Sequence, residues 1–202
     1  IFAFMIAEGC YYTSNVKKYM LRLFLFAIIS EIPFNLIMGS SVFYPFHQNV
    51  LWTFLLGVLS IQIIEKAKKK QKKWISFFVV CLVLLMDFLL GTITMVDYNA
   101  AGILTVLLFY FFRKKTWISF AAQLVGLYYL NVVMLGNLYY PVTILGHHFE
   151  IAQQSFALLA LIPIWLYHGE QGYHSKWFKY FCYAFYPVHF LILFVIWQWR
   201  IR

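Results

Sequence analysis

Apolar runs close to the length of a bilayer crossing recur along the whole chain, separated by short loops rich in lysine and arginine. A crossing helix needs about 20 predominantly apolar residues. In lipid, the backbone of such a run must satisfy its own hydrogen bonds, and an unbroken apolar run does so as a helix. The expected fold class is therefore all-α, a polytopic transmembrane helical bundle. Only 11% of the residues are charged and 63% are hydrophobic, whereas a soluble domain carries about 25% charge. Too few polar side chains remain to cover a water-facing surface. The sequence reads as a single integral-membrane domain, residues 1–202.

The sequence starts at Ile1 with an apolar stretch too short to cross alone. It has no basic n-region and no cleavage site, so it does not read as a signal peptide. It is expected to be the tail of a helix whose beginning is missing. The net charge of +9 is local rather than spread over a surface, which argues against nucleic acid as a partner. Lys17, Lys18 and Arg22 form one cluster, and Lys66, Lys68, Lys69, Lys70, Lys72 and Lys73 a second. Arg113, Lys114 and Lys115 form a third, and Lys176 and Lys179 a fourth. All four fall on the cytoplasmic side, as the positive-inside rule asks, if about eight spans alternate. Those spans are 1–12, 19–38, 49–64, 74–90, 98–112, 117–135, 151–167 and 178–199. The weakest is 98–112, and a re-entrant segment is the alternative. Arg200 and Arg202 alone fall outside. His168, Gly169, Glu170, Gln171 and Gly172 mark a tight turn. Cys10, Cys81 and Cys182 are single and far apart, giving neither a metal spacing nor a disulfide framework.

Polar groups inside apolar runs are where function is expected. A charged residue at the bilayer centre costs about 3 kcal/mol on insertion scales. Glu31 lies deep in the second run, followed by Pro33 and Asn35. Pro33 lacks an N–H, which leaves the Ile29 carbonyl without its helical donor. Tyr186, Pro187 and His189 repeat the pattern in the last run. Two proline-containing helices with ionisable groups near mid-membrane suggest a polar cavity; a buried structural Glu–His pair is the other reading. Asn49 and Thr53 open the third run, and Asp97 and Tyr98 precede Gly102 at the same outer side. Glu8 and Arg22 sit near inner ends, where they snorkel to water or pair with each other. Asp87 is either solvated in the outer leaflet or part of the polar path. Gln153 and Asn131 suit interhelical hydrogen bonds.

One ordered set of residues resembles the TraX family of membrane proteins. It runs from Ile1 through Glu8 and Gly9, then Thr13 to Asn15, Lys18 to Leu23, and Ser30 to Asn35. Asn49 with Thr53, Asp97 and Tyr98 with Gly102, Tyr167 through Gly172, and Phe185 through His189 continue it. The resemblance covers nearly the whole chain. It implies a multi-pass protein of the bacterial cytoplasmic (inner) membrane that acts as an acetyltransferase in conjugation. The expected donor is acetyl-CoA, and the acceptor in the named family member is the pilin N-terminus. The family pattern opens with a further helix carrying an Asp-His pair, upstream of Ile1, and His189 is then expected to partner that histidine.

Acyl transfer needs a base for the acceptor and donors for the oxyanion. His189 is the candidate base, with Glu31 orienting its other ring nitrogen. Arg22, beside Lys17 and Lys18, is placed to meet CoA phosphates. Glu8, Asn35, Asn49, Asp97, Tyr98 and Tyr186 are the remaining candidate substrate- or cofactor-binding residues, and no metal is expected. The lysine loop suits anionic lipid heads. A small-solute or proton-coupled transporter, with Glu31, Asp97 and His189 as relay groups, is the alternative. A scaffold whose polar residues only fix helix packing is a third reading.

Overall fold

In the computed structural model the chain is described over residues 1–136, 138–144, 147–170, 172 and 175–201. Its helices are α1 (Phe2–Tyr12), α2 (Val16–Gly39), α3 (Val50–Lys70), α4 (Lys73–Ile93), α5 (Asn99–Phe111) and α6 (Trp117–Tyr128), then α7 (Leu161–Leu166) and α8 (Lys176–Ile201). A π-helical turn, Tyr129–Met134, extends α6, and a 3₁₀ stretch, Gln153–Ala160, leads into α7. Gln171 and Arg202 lie outside the described residues, as do the side chains of Lys176 and Lys179.

Local chemistry sets several helix starts. Asn15 accepts from the Lys18 amide at 3.0 Å, Asn49 from Leu51 at 3.1 Å and Thr116 from Ser119 at 3.2 Å. Each satisfies an amide that the first helical turn leaves without a carbonyl. At its far end α3 carries Lys68, Lys69 and Lys70, which complement the negative pole of the helix.

The middle of the bundle is formed by α3 and α5. Val58, Ile61 and Ile64 of α3 cluster with Val106 and Leu107 of α5, all nearly or wholly buried. Flanking α3 are α2 and α4, while α1 lies on α5 and α8 on α2. Lipid offers no hydrophobic gain for helix association, so close approach has to hold such a bundle. Gly91 shows this: a Cβ there would fall 2.6 Å from the Ala100 backbone. The outer surfaces are apolar, and Trp74, Trp117, Trp177 and Trp199 are strongly exposed, as interfacial rings are.

Among the described residues five helical segments are long and apolar enough to cross a membrane: Val16–Gly39, Val50–Lys70, Lys73–Ile93, Trp117–Met134 and Tyr180–Arg200. The chain is thus an integral membrane protein, but with five such helices rather than the eight expected. Segments 1–12, 98–112 and 151–167 form shorter helices. At 1.5 Å per residue, the 13 residues of α5 reach about 20 Å, against a hydrocarbon core of about 30 Å. A second difference is an antiparallel hairpin, β1 (Tyr139–Ile144) with β2 (His147–Ala152), which pairs Tyr139 with Ala152 and Val142 with Phe149. It takes in the start of the seventh predicted span. The run Tyr139–Ile144 is rich in aromatic and β-branched residues, which favour pleated backbone.

The helix ends bearing basic clusters meet one another. Lys68 donates to the Tyr110 hydroxyl at 3.0 Å, Lys115 to the Trp165 carbonyl at 2.8 Å, and Arg22 Nε to the Tyr183 hydroxyl at 3.2 Å. At the opposite end the α2–α3 and α4–α5 loops join through a parallel bridge between Gln48 and Val96. The Gln48 amide donates to Met95 O at 2.9 Å and the Asp97 amide to Gln48 O at 2.8 Å.

Candidate functional site

Toward the end opposite the basic loops, α2, α3 and α8 enclose a polar cluster. Its centre is Glu31 on α2. Trp52 Nε1 donates to Glu31 Oε2 at 3.0 Å, and Asn49 Nδ2 donates to the same oxygen. Asn49 also donates to the Ala27 carbonyl at 2.9 Å and is fully buried. Its side-chain oxygen meanwhile caps α3, so one residue starts a helix and fixes a carboxylate. Helix α2 runs on through Pro33 without ending.

Several acceptors in this region lack partners. Among the described residues Glu31 Oε1, Asn35 Oδ1 and Ser30 Oγ are buried with no hydrogen bond. Glu31 and Asn35 are four apart, hence on one helix face. Asn35 Nδ2 donates to the Val42 carbonyl at 3.2 Å. From α8, the Tyr186 hydroxyl faces the Val50 backbone amide and shares its surroundings with Asp97, Glu31 and Tyr98.

At the mouth of the cluster, His47 Nε2 meets Asp97 Oδ1 at 3.2 Å, and the imidazole stacks on Phe34 with centroids 5.5 Å apart. Thr53 donates to the Asp97 carbonyl at 2.7 Å. Gly102 lets that contact form, since a Cβ there would lie 2.6 Å from Thr53 Cγ2. Burial raises the Asp97 carboxyl above its ordinary pKa, while the hydrogen bond and charge of His47 oppose the rise. Met95, Tyr98 and Asn99 around it have φ of 51°, 62° and 47°, a left-handed backbone that costs about 1–2 kcal/mol per non-glycine residue.

His189 lies one turn beyond Tyr186. Its Nδ1 contacts the Tyr186 carbonyl at 2.9 Å, and its ring stacks on Phe185. A carbonyl only accepts, so Nδ1 carries a proton and Nε2 is the accepting nitrogen of the neutral ring. The orienting partner expected from Glu31 is instead this carbonyl.

The other two candidates lie at the basic end. Glu8 does not pair with Arg22. It takes two hydrogen bonds from Arg113, at 2.6 and 3.1 Å, and Arg113 also lies 3.5 Å from the centroid of the Tyr11 ring. Arg22, held by Tyr183, is a turn farther along α2. Beside Glu8 is a cavity of about 590 Å³ lined by Phe4, Tyr12, Ile164, Tyr167 and Gly169. The candidates therefore divide into two regions. Glu31, Asn35, Asn49, Asp97, Tyr98 and Tyr186 gather toward one end, with His189 a turn away, and Glu8 and Arg22 lie toward the other.

Sequence reasoning missed His47, Trp52 and Arg113 as site residues. A signal for His47 existed: His47 precedes Asn49 at the start of α3 as Asp97 precedes Asn99 at the start of α5. Two matching loop-to-helix junctions on one side of the membrane are natural neighbours.

The fold and these clusters define a class: a multi-pass helical membrane protein with carboxylates, amides and imidazoles walled into an apolar bundle. Within that class the chain belongs to the TraX family, since the family model described as TraX protein matches residues 1–197. No curated protein and no solved structure gives a detectable match to the chain.

Proposed function

We propose that the chain is an integral-membrane acyltransferase that moves an acetyl group from acetyl-CoA to an amine or hydroxyl acceptor. One observation carries this reading: in a chain of this family, Glu31 is fixed through one oxygen by Trp52 and Asn49 and keeps the other unpartnered. A carboxylate held that way suits an acceptor that presents an N–H or O–H. Tyr186 supplies a hydroxyl for the charge that develops on the carbonyl oxygen. His189, with Nδ1 tied to its own helix, offers Nε2 to orient the acceptor. At the basic end, which the positive-inside rule makes cytoplasmic, Arg22 with Lys17 and Lys18 suits the phosphates of CoA. A bacterial cytoplasmic membrane and a pilin-like acceptor follow from the resemblance to the family.

The test is full-length protein in liposomes given radiolabelled acetyl-CoA. Label on an added peptide or small acceptor is the expected result. His189→Ala should lower turnover about 10-fold, an order below the loss of a general base; unchanged turnover would make His189 structural. A transporter is the second reading, supported by Asp87, whose Oδ1 accepts from Ser60 at 2.7 Å while Oδ2 is buried with no partner among the described residues. Solute flux without thioester turnover would favour it and remove the first.

A further inference from the structure

We infer that His47 takes the proton from the acceptor and that Asp97 is its positioning residue; the assignment rests on the acyltransferase reading above. Three observations support it, none visible in the hydropathy of the chain.

The first is the dyad. Asp97 Oδ1 holds Nε2 at 3.2 Å, which places the proton of the neutral ring on Nε2 and leaves Nδ1 as the base. Nδ1 has no hydrogen-bond partner among the described residues. The carboxylate also stabilises the imidazolium that forms, an advantage that the Tyr186 carbonyl gives His189 only weakly.

The second is access. The His47 side chain is 39% exposed and that of Asp97 25%, so both can be reached from the end of the bundle. The ring is nonetheless held flat on Phe34. Phe34 in turn meets Phe190 of α8 at 5.6 Å, which connects the dyad to the wall that carries Tyr186.

The third is backbone strain. Met95, Tyr98 and Asn99 are three of the four non-glycine residues with positive φ among the described residues, and all lie within two positions of Asp97. Strain of this kind persists where the surroundings over-determine it. A purely structural dyad would clamp the two loops together. The Gln48 bonds to Met95 and Asp97 already do that through backbone alone, so the side-chain pair is not needed for it.

The step balances. As the acceptor nitrogen or oxygen bonds to the carbonyl carbon of an acyl thioester, its proton passes to His47 Nδ1. The adduct then collapses, the C–S bond breaks with its electron pair leaving on sulfur, and the imidazolium returns the proton to the thiolate.

The experiment uses full-length protein in liposomes, with radiolabelled acetyl-CoA as donor. The acceptor probes are a short peptide with a free N-terminal amine and, separately, glycerol. His47→Gln is expected to lower kcat about 100-fold or more, the usual weight of a general base, with KM for acetyl-CoA nearly unchanged. His47→Gly is expected to regain activity with added imidazole, which a loop clamp would not show. Asp97→Asn is expected to lower kcat with the fold kept. If His47→Gln works within about threefold of wild type, a change too small for a lost base, the assignment is overturned. A folded His47→Gly with no imidazole response overturns it equally, and decides the matter where His47→Gln does not fold. Active wild type with active His47 variants removes only this assignment, while inactive wild type removes the acyltransferase reading and the assignment with it.

Discussion

Arg113 grips Glu8 with two hydrogen bonds, at 2.6 and 3.1 Å, and so ties the end of α5 to α1 across 105 positions of sequence. Both side chains are mostly buried, at 29% and 12% exposure. Removing one partner leaves the other charge poorly solvated. Glu8→Ala and Arg113→Ala should each destabilise by about 2 kcal/mol, the worth of a hydrogen bond to a charged group. Thermal unfolding in detergent checks this, and Glu8→Arg with Arg113→Glu should recover part of the loss. Equal stability of the single variants and wild type would make the pair incidental.

Glu31 gives a second, sharper contrast. Glu31→Gln keeps an oxygen for Trp52 and Asn49, so the fold should melt close to wild type while acyl transfer falls. Glu31→Ala leaves Trp52 Nε1 without its acceptor, while Asn49 keeps the Ala27 carbonyl, and the unpaired donor costs about 1–3 kcal/mol. The two variants should therefore separate in unfolding experiments and agree in activity assays. A Glu31→Gln variant with full activity would leave the carboxylate no chemical role.

Gly91 predicts a packing defect far from any charge. Its α-hydrogen faces the backbone of Ala100, and a methyl group at 2.6 Å forces α4 away from α5. Gly91→Ala should lower stability by about 1–3 kcal/mol, as overpacked sites do. Gly172→Ala, with no described residue within 4 Å of the added carbon, is the matched control and should melt as wild type does.

Asp97 predicts a pH dependence with a definite sign. Its carboxyl is raised above its ordinary 3.8, by burial, against the pull of His47. The folded state thus binds this proton more tightly than the unfolded state. The contribution to stability is full below pH 3.8 and is lost as pH rises through the folded value. Asp97→Asn does not titrate, so its stability relative to wild type should improve across that window. Melting curves collected at a series of pH values on both proteins measure it; a difference that stays flat, or runs the other way, would contradict the burial argument.

Hydropathy made the helical segments legible because a backbone in lipid has few alternatives. It did not give their lengths. α5 is largely apolar, but it is short and packed against the longer α3 and α4, and a window average cannot separate those cases. The hairpin at Tyr139–Ala152 was missed because its alternation is weak against a background of aromatic residues. The polar residues were legible one by one, since each is costly in such surroundings. Their pairing was not: Glu8 and Arg22 are near in sequence and both inner, yet Glu8 belongs to Arg113 because α1 packs on α5. His47, in the loop before α3, gains its meaning only from Asp97 beside it.

The short span of α5 has an electrical consequence. Asp97 and Tyr98 stand just before its first residue and Arg113 just after its last, so about 20 Å of helix separates the two polar regions. Were water to enter as far as these groups, a membrane potential would fall over that shorter path and give a steeper local field than one spread across the surrounding bilayer. Any charge shifted along α5 would then do more electrical work per ångström there, and turnover that moves charge between the two ends will change with voltage.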